Sequence, residues 1–202
     1  GDGSTNFVDS ASPSHTVTAY GNAQIDTAQF KIGASSALFD GDNDHLTTPD
    51  SNDFNFAGEN FTIDFWVRIS DTTPTTQTLF LHNDPTGNYA AIFFNDGPPW
   101  RFIMYDPAGP GWPILVNLTG GTMPSVNTWH HVSVVRNGNV WTMYVDGSSI
   151  ASATSSAAYP NYGGSIYTGA ANLIYEFYGH LDDFRITKGT ALWTSNFTPP
   201  SN

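Results

Sequence analysis

The sequence predicts an all-β fold, a sandwich or barrel of short antiparallel strands, on three observations. Apolar and polar residues alternate with a period of two, an Asn-Gly pair joins two β-rich runs, and turn residues recur roughly every 8 to 12 positions. No comparable window carries helical spacing.

The clearest strand is FTIDFWVRIS, where Phe61, Ile63, Phe65, Val67 and Ile69 alternate with Thr62, Asp64, Trp66, Arg68 and Ser70. That is the pattern of a sheet with one buried face. NYAAIFFND and RFIMYD are apolar on both faces, as expected of inner strands covered on two sides, and NDGPPW joins them. In WHHVSVVRNGNVWTMYVDG the turn is placed at Asn137-Gly138. Val134 then faces Trp141, Val132 faces Met143 and His130 faces Val145, an apolar face; His131, Ser133, Thr142, Tyr144 and Asp146 take the other. SSIASATSSAAYPNYGGS reads as a long surface loop, YGHLDDFRI as a late strand, and TSNFTPPSN as an extended exit. Thirteen prolines and nineteen glycines serve the turns, and no linker divides the chain. Residues 1–202 are read as one domain, and the abrupt start at GDGSTNF as the mark of excision from a larger protein.

Six Lys plus Arg stand against eighteen Asp plus Glu, a formal charge of −12. Phosphate backbones and anionic lipid heads are recognised mainly through Lys and Arg, so nucleic acid and membrane are not expected partners. The chain has no cysteine, hence neither a disulfide framework nor thiolate chemistry. Acidity with few lysines suits salty surroundings, where screening relieves self-repulsion, and an extracellular, cell-surface or virion location is expected.

The succession ALFDGDNDHLTTPDSNDFNF, FTIDFWVRI, NTWHHVSVVRNGNVWTMYVDG and FYGHLDDFRITKGTALW resembles the laminin-G-like modules of the concanavalin A-like lectin and glucanase superfamily. Its most specific part is W-H-H-V, then Y-V-D-G, then G-x-L-D-D, and the variety it resembles is appended to marine bacterial surface proteins and phage virion proteins. The resemblance implies a jelly-roll sandwich of two antiparallel sheets, one concave, with calcium near the meeting of the chain ends. It implies no ligand, because this fold hosts lectins, enzymes and structural modules alike.

ALFDGDNDHL places Asp40, Asp42 and Asp44 at every second position, and calcium would relieve their repulsion. An EF-hand loop is excluded, because His45 stands where that loop needs Gly and Ser51 where it needs Glu. The resemblance implies ligands gathered instead from Asp2, the backbone around Gly41, and Asp182 or Asp183, with Asp42 and Asp44 also available. The alternative is that these aspartates shape turns and pair with Arg185. Zinc does not suit His130-His131, since neighbours on a strand point to opposite faces.

Glycosidase chemistry needs two placed carboxyls, and neither Glu59, Glu176 nor Asp64 supplies a pair, so the chain is not expected to be an enzyme. Binding remains. Sugar rings stack their C–H faces on Trp and Tyr, while their hydroxyls need polar partners. NDGPPWRFIMYDPAGPGWP offers both kinds in Asn95, Asp96, Trp100, Arg101, Tyr105, Asp106 and Trp112, and Trp66 would line the concave sheet. The alternative for any one of these rings is that it plugs the sandwich. Tyr159, Tyr162, Tyr167, Tyr175 and Tyr178 form a second aromatic group with no assigned site. Three functions follow from these residues: a glycan-binding or adhesion module stabilised by calcium, a structural module of a virion or surface protein, and a hydrolase or lyase with an unrecognised site.

Overall fold

The computed structural model describes residues 1–73, 76–95, 97–170 and 175–201. In chain order the strands are β1 (Thr18–Tyr20), β2 (Gln24–Asp26), β3 (Ser36–Asp40), β4 (His45–Thr48), β5 (Phe61–Ile69), β6 (Thr76–Asn83) and β7 (Tyr89–Asn95). They continue with β8 (Trp100–Tyr105), β9 (Ile114–Gly120), β10 (Trp129–Asn137), β11 (Val140–Val145), β12 (Ser148–Thr154), β13 (Ile166–Thr168) and β14 (Tyr178–Lys188). Among the described residues the helical structure is a 3-10 turn at Asn52–Phe54.

The strands form two seven-stranded antiparallel sheets, here sheet A (β1-β4-β13-β6-β7-β8-β9) and sheet B (β12-β11-β10-β5-β14-β3-β2). This is the predicted jelly-roll sandwich. Their inner faces meet over a core rich in rings, including Phe39, Phe61, Phe65, Phe80, Phe94, Phe102 and Trp141. β5 is central to sheet B, paired with β10 on one side and β14 on the other, and its apolar row points inward as the alternation requires.

The β10–β11 hairpin differs from expectation in register. Asn137 pairs with Val140, so the turn is Gly138-Asn139, and Val132 faces Val145 while Val134 faces Met143. The shift moves each partner by two positions, and because side chains alternate with period two the faces are unchanged. The stretch read as a long loop contains strand β12, and its Tyr159 and Tyr162 are buried in the core.

The outer face of sheet B is covered by the chain itself. Residues 189–201 cross it: the Leu192 N–H donates to Thr62 Oγ1 at 3.0 Å, the Ser149 N–H to Asn196 Oδ1 at 2.9 Å, and the Phe197 N–H to the Gly147 carbonyl at 2.9 Å. Trp193 and Phe197 stack at 3.9 Å between centroids, and both lie edge-on to His131. Gly147 must be glycine for this approach, because its φ is +73° and a Cβ would collide with the Phe197 carbonyl.

Candidate functional site

The outer face of sheet A is built by register. On β7, Tyr89, Ala91 and Phe93 point away from the core, since Ala90, Ile92 and Phe94 point into it. Ala91 pairs with Ile103 and Ile103 with Asn117; Phe93 pairs with Arg101 and Arg101 with Thr119. Leu81, Ala91, Phe93 and Ile103 form a small apolar patch, with Tyr89, Tyr105 and Tyr167 packed against it.

Trp112 stands beside this patch on the loop between β8 and β9. The residue is 48% exposed, and its ring is 5.7 Å from Tyr105 and 6.1 Å from Tyr89, both at steep interplanar angles. Its φ of +61° follows Gly111 at +78°, so the turn rather than core packing sets where the ring goes. Tyr175, 50% exposed, lies 6.2 Å from Phe93 on the other flank. Burial pushes the Tyr89 hydroxyl up to about 12, with further contributions from the neighbouring Tyr105 and from Tyr175; the Arg101 guanidinium acts in the opposite sense. Tyr89, Tyr105 and Tyr175 share one aromatic surface, with Arg101 on the same sheet face. Arg101 Nε donates to Asn117 Oδ1 at 3.2 Å, and among the described residues Arg101 forms no ion pair.

Several predicted site residues lie elsewhere. Trp100 is only 1% exposed, because it precedes Arg101 on β8 and alternation turns it inward against Phe94; its Nε1 donates to the Thr122 carbonyl. Trp66 is on the outer face of sheet B and 6% exposed, under Lys31 Nζ at 4.6 Å and against His131, so it lines no open surface. Asp106 closes the β8–β9 loop, its carboxylate accepting the Ala108 N–H at 2.9 Å. Asp96 and the Asn95 side chain lie outside the described residues. Tyr105 and Trp112 are brought together, and Arg101 lies on the same sheet face, in register with Phe93. Tyr89, Phe93, Asn117 and Tyr175 were missed: in NYAAIFF both faces are apolar, and nothing in the string says which one faces out.

The carboxylates of the acidic residues accept hydrogen bonds from nearby groups. Asp44 accepts the backbone N–H groups of Asn22 and Asp40, Asp40 accepts the Asp42 N–H at 3.0 Å, and Asp42 accepts Asn43 Nδ2 at 2.7 Å. Asp182 accepts the N–H groups of Lys31 and Ile32 at 2.6 and 2.8 Å, and Asp2 accepts Thr27 Oγ1 at 3.2 Å. Gly41 packs against Tyr178. Asp183 sits at a bulge in β14 with φ +46° and lies 4.0 Å from Arg185; burial raises its carboxyl, against the pull of that arginine. Among the described residues no group of three or more His, Cys, Asp or Glu side chains is placed to hold a metal ion. Asp40, Asp44 and Asp182 act as acceptors for backbone amides.

Asp64 has no room for a substrate either. It is fully buried, with Arg185 Nη2 at 2.7 Å and His131 Nε2 at 3.3 Å. His130 is held by Asp146 at 2.7 Å, whose other oxygen accepts the His131 N–H at 2.9 Å. A cavity of about 750 Å³ lies between the sheets beneath residues 6–13. Leu46, Ile166, Leu181, Phe184 and Ile186 line it, and it is remote in lining from the exposed rings.

A family model described as the concanavalin A-like lectin/glucanases superfamily, Laminin_G_3, matches residues 40–193. No curated protein matches the chain in sequence. Among solved structures, domain 4 of AbnA, a GH43 extracellular arabinanase from Geobacillus stearothermophilus in complex with arabinotriose, superposes with TM-score 0.67 at 19% identity over 88% of this chain and 84% of that one. The binding domain of botulinum neurotoxin serotype G gives TM-score 0.70 at 16% identity, over 92% of this chain but 46% of its own. Trypanosoma rangeli sialidase in complex with the inhibitor DANA gives 0.56 at 15%, over 85% of this chain and 27% of its own. At such identities the likeness shows the fold alone; most of these relatives are binding domains, and some belong to enzymes.

Proposed function

The chain belongs to the concanavalin A-like lectin/glucanase superfamily, and from that premise we propose that it is a non-catalytic glycan-binding module whose ligand lies on the outer face of sheet A. The observation that carries this reading is the half-exposed Trp112, set edge-on to Tyr89 and Tyr105 on the face that also carries Arg101 and Asn117. Such rings offer apolar faces to sugar C–H groups, and the neighbouring hydroxyls, amide and guanidinium replace the water that sugar hydroxyls lose. An exposed tryptophan held by a turn of positive φ contributes little to the core, so its area is free for a partner. The arabinotriose complex of the AbnA domain supports the reading by showing that this fold can carry an oligosaccharide. Attachment to a larger extracellular, cell-surface or virion protein is part of the proposal, in keeping with the acidity of the chain.

Affinity electrophoresis and calorimetry against a panel of plant and algal polysaccharides test it. Trp112→Ala and Tyr105→Ala should each weaken binding of the retained glycan by about tenfold or more, the scale of a lost stacking ring. Absence of retention by every glycan, or unchanged binding in Trp112→Ala, would overturn it. A self-assembly reading draws on edge strand β9, where Ile114 is 54% exposed. Sedimentation of the protein separates the two, since a glycan module needs no second copy.

A further inference from the structure

Six basic side chains serve a chain of formal charge −12, and where they are placed is informative. Lys31 lies over Trp66 at 4.6 Å, Arg136 donates to the Glu59 carbonyl at 2.7 Å and lies over Trp141, and Arg185 pairs with Asp64 at 2.7 Å. Lys188 donates to the Asn52 carbonyl at 3.1 Å, and Arg68 is in β5, in register with Trp129 and His180. All five belong to sheet B or the segments packed on it. Arg101 alone lies on a strand of sheet A.

Arg101 also differs in how it is held. One bond, from Nε to Asn117, fixes its orientation, while its two terminal nitrogens have no protein acceptor among the described residues. The outward positions around it on β7, β8 and β9 are Tyr89, Ala91, Phe93, Ile103, Tyr105, Asn117 and Thr119, with no carboxylate among them. Among the described residues these strand positions thus carry no carboxylate, Asp106 standing in the adjoining loop, and Arg101 is the one guanidinium on the face. By register it lies on the same sheet face as Phe93, its partner on β7, and as Tyr89 and Tyr105.

Resting on the glycan-binding reading above, we infer that the ligand is an acidic glycan whose anionic group, a uronate carboxylate or a sulfate ester, docks on the Arg101 guanidinium while a sugar ring stacks on Trp112 and Tyr105. A planar fork of N–H donors matches the paired oxygens of either anion. The surrounding charge of the chain repels anions at long range, and screening over about 8 Å at physiological salt confines that repulsion. Only a face cleared of carboxylates admits an anion to contact. Neutral glycans would use the rings alone and bind more weakly.

The test measures affinity by calorimetry for three oligosaccharides of matched length: one of uronate residues, one sulfated and one neutral. Arg101→Gln, Arg101→Lys and Trp112→Ala are compared with the wild-type protein, each checked for an unchanged melt. The uronate or the sulfated arm, whichever is the ligand, should bind tighter than the neutral one and lose affinity with added salt. Arg101→Gln should reduce that arm about tenfold more than the neutral arm, the scale of a charge-assisted bond. Arg101→Lys should recover part of the loss by restoring charge without the fork. Trp112→Ala should weaken both arms. If acidic and neutral arms bind alike, or Arg101→Gln affects them equally, the inference falls while the glycan reading stands. If no arm binds, both fall.

Discussion

The outer faces of the two sheets carry similar side chains and reach opposite states. Sheet A presents Tyr89, Phe93, Tyr105 and Trp112; sheet B presents Trp66, His131, Tyr144 and, lying on it, Trp193 and Phe197. On sheet B the chain's own end covers the rings, and hydrogen bonds from Leu192, Ser149 and Phe197 hold it there. On sheet A, among the described residues, the rings cover only each other, and Trp112 and Tyr175 remain half in solvent. An aromatic face is therefore a site or a second core according to what lies over it, and composition alone does not distinguish the two.

The largest effect is expected from breaking the covered face at its base. Asp64→Ala removes the buried acceptor of Arg185 and the partner of His131. Stripping one partner from a buried pair costs about 3 kcal/mol or more, and the partial exposure of Arg185 keeps this at the lower end. Urea unfolding should show that loss, with glycan affinity of the folded fraction unchanged. A loss below about 1 kcal/mol would mean that the pair adds nothing beyond a surface contact.

Acid should act on both sheets. His82 of β6, packed among Phe54, Tyr159 and Tyr162, is held by burial at about 4 instead of 6.5, and burial also lowers His180 of β14 despite its bond to Asp26. A base whose folded pKa is depressed is neutral in the fold and protonated when unfolded, so the unfolded chain binds more protons between these values. Stability is then full above pH 6.5 and falls as pH drops toward 4. For His82 the loss is on the order of 3 kcal/mol at the bottom of that window. Melting temperature from pH 7.5 to 4 should trace it, and His82→Phe should flatten the slope.

A smaller pair of substitutions sharpens the contrast between faces. Phe197→Ala should lower stability by about 1 to 2 kcal/mol, below the cost for a fully buried ring because Phe197 is only partly covered. Trp112→Ala should shift stability by about 0.5 kcal/mol or less, while glycan binding weakens by about tenfold or more. Equal stability effects from the two would dissolve the distinction between a covered and an open face.

The same contrast explains what the sequence could and could not tell. The alternation in FTIDFWVRIS gives β5 and its inward row directly, and the residues of W-H-H-V, Y-V-D-G and L-D-D identify the family. Those motif residues build the covered face: Asp146 clamps His130 and His131, Gly147 admits Phe197, and Asp182 holds the amides of Lys31 and Ile32. The open face left a fainter mark. Trp112 was legible because Gly and Pro surround it, whereas Trp100 looked equivalent and differs only in strand parity, which needs the start of β8 to be known. Tyr89 and Tyr175 could not be found locally, since one lies in a strand apolar on both sides and the other reaches Phe93 across a long separation.

The smallest effect is expected at the acidic loop. Calcium would have to displace the amides that Asp44 and Asp182 already accept, and an ion stabilises a fold only as far as it binds the folded chain better than water and those donors allow. Melting in excess calcium and in EGTA should therefore differ by about 1 °C or less, a stability change of a few tenths of a kcal/mol. A shift of several degrees, abolished by Asp44→Asn or Asp183→Asn, would show that the loop rearranges to admit the ion. In that case the turn amides of Asn22 and Asp40 must give up their carboxylate, and the loss of their protection from hydrogen exchange in calcium would locate the rearrangement.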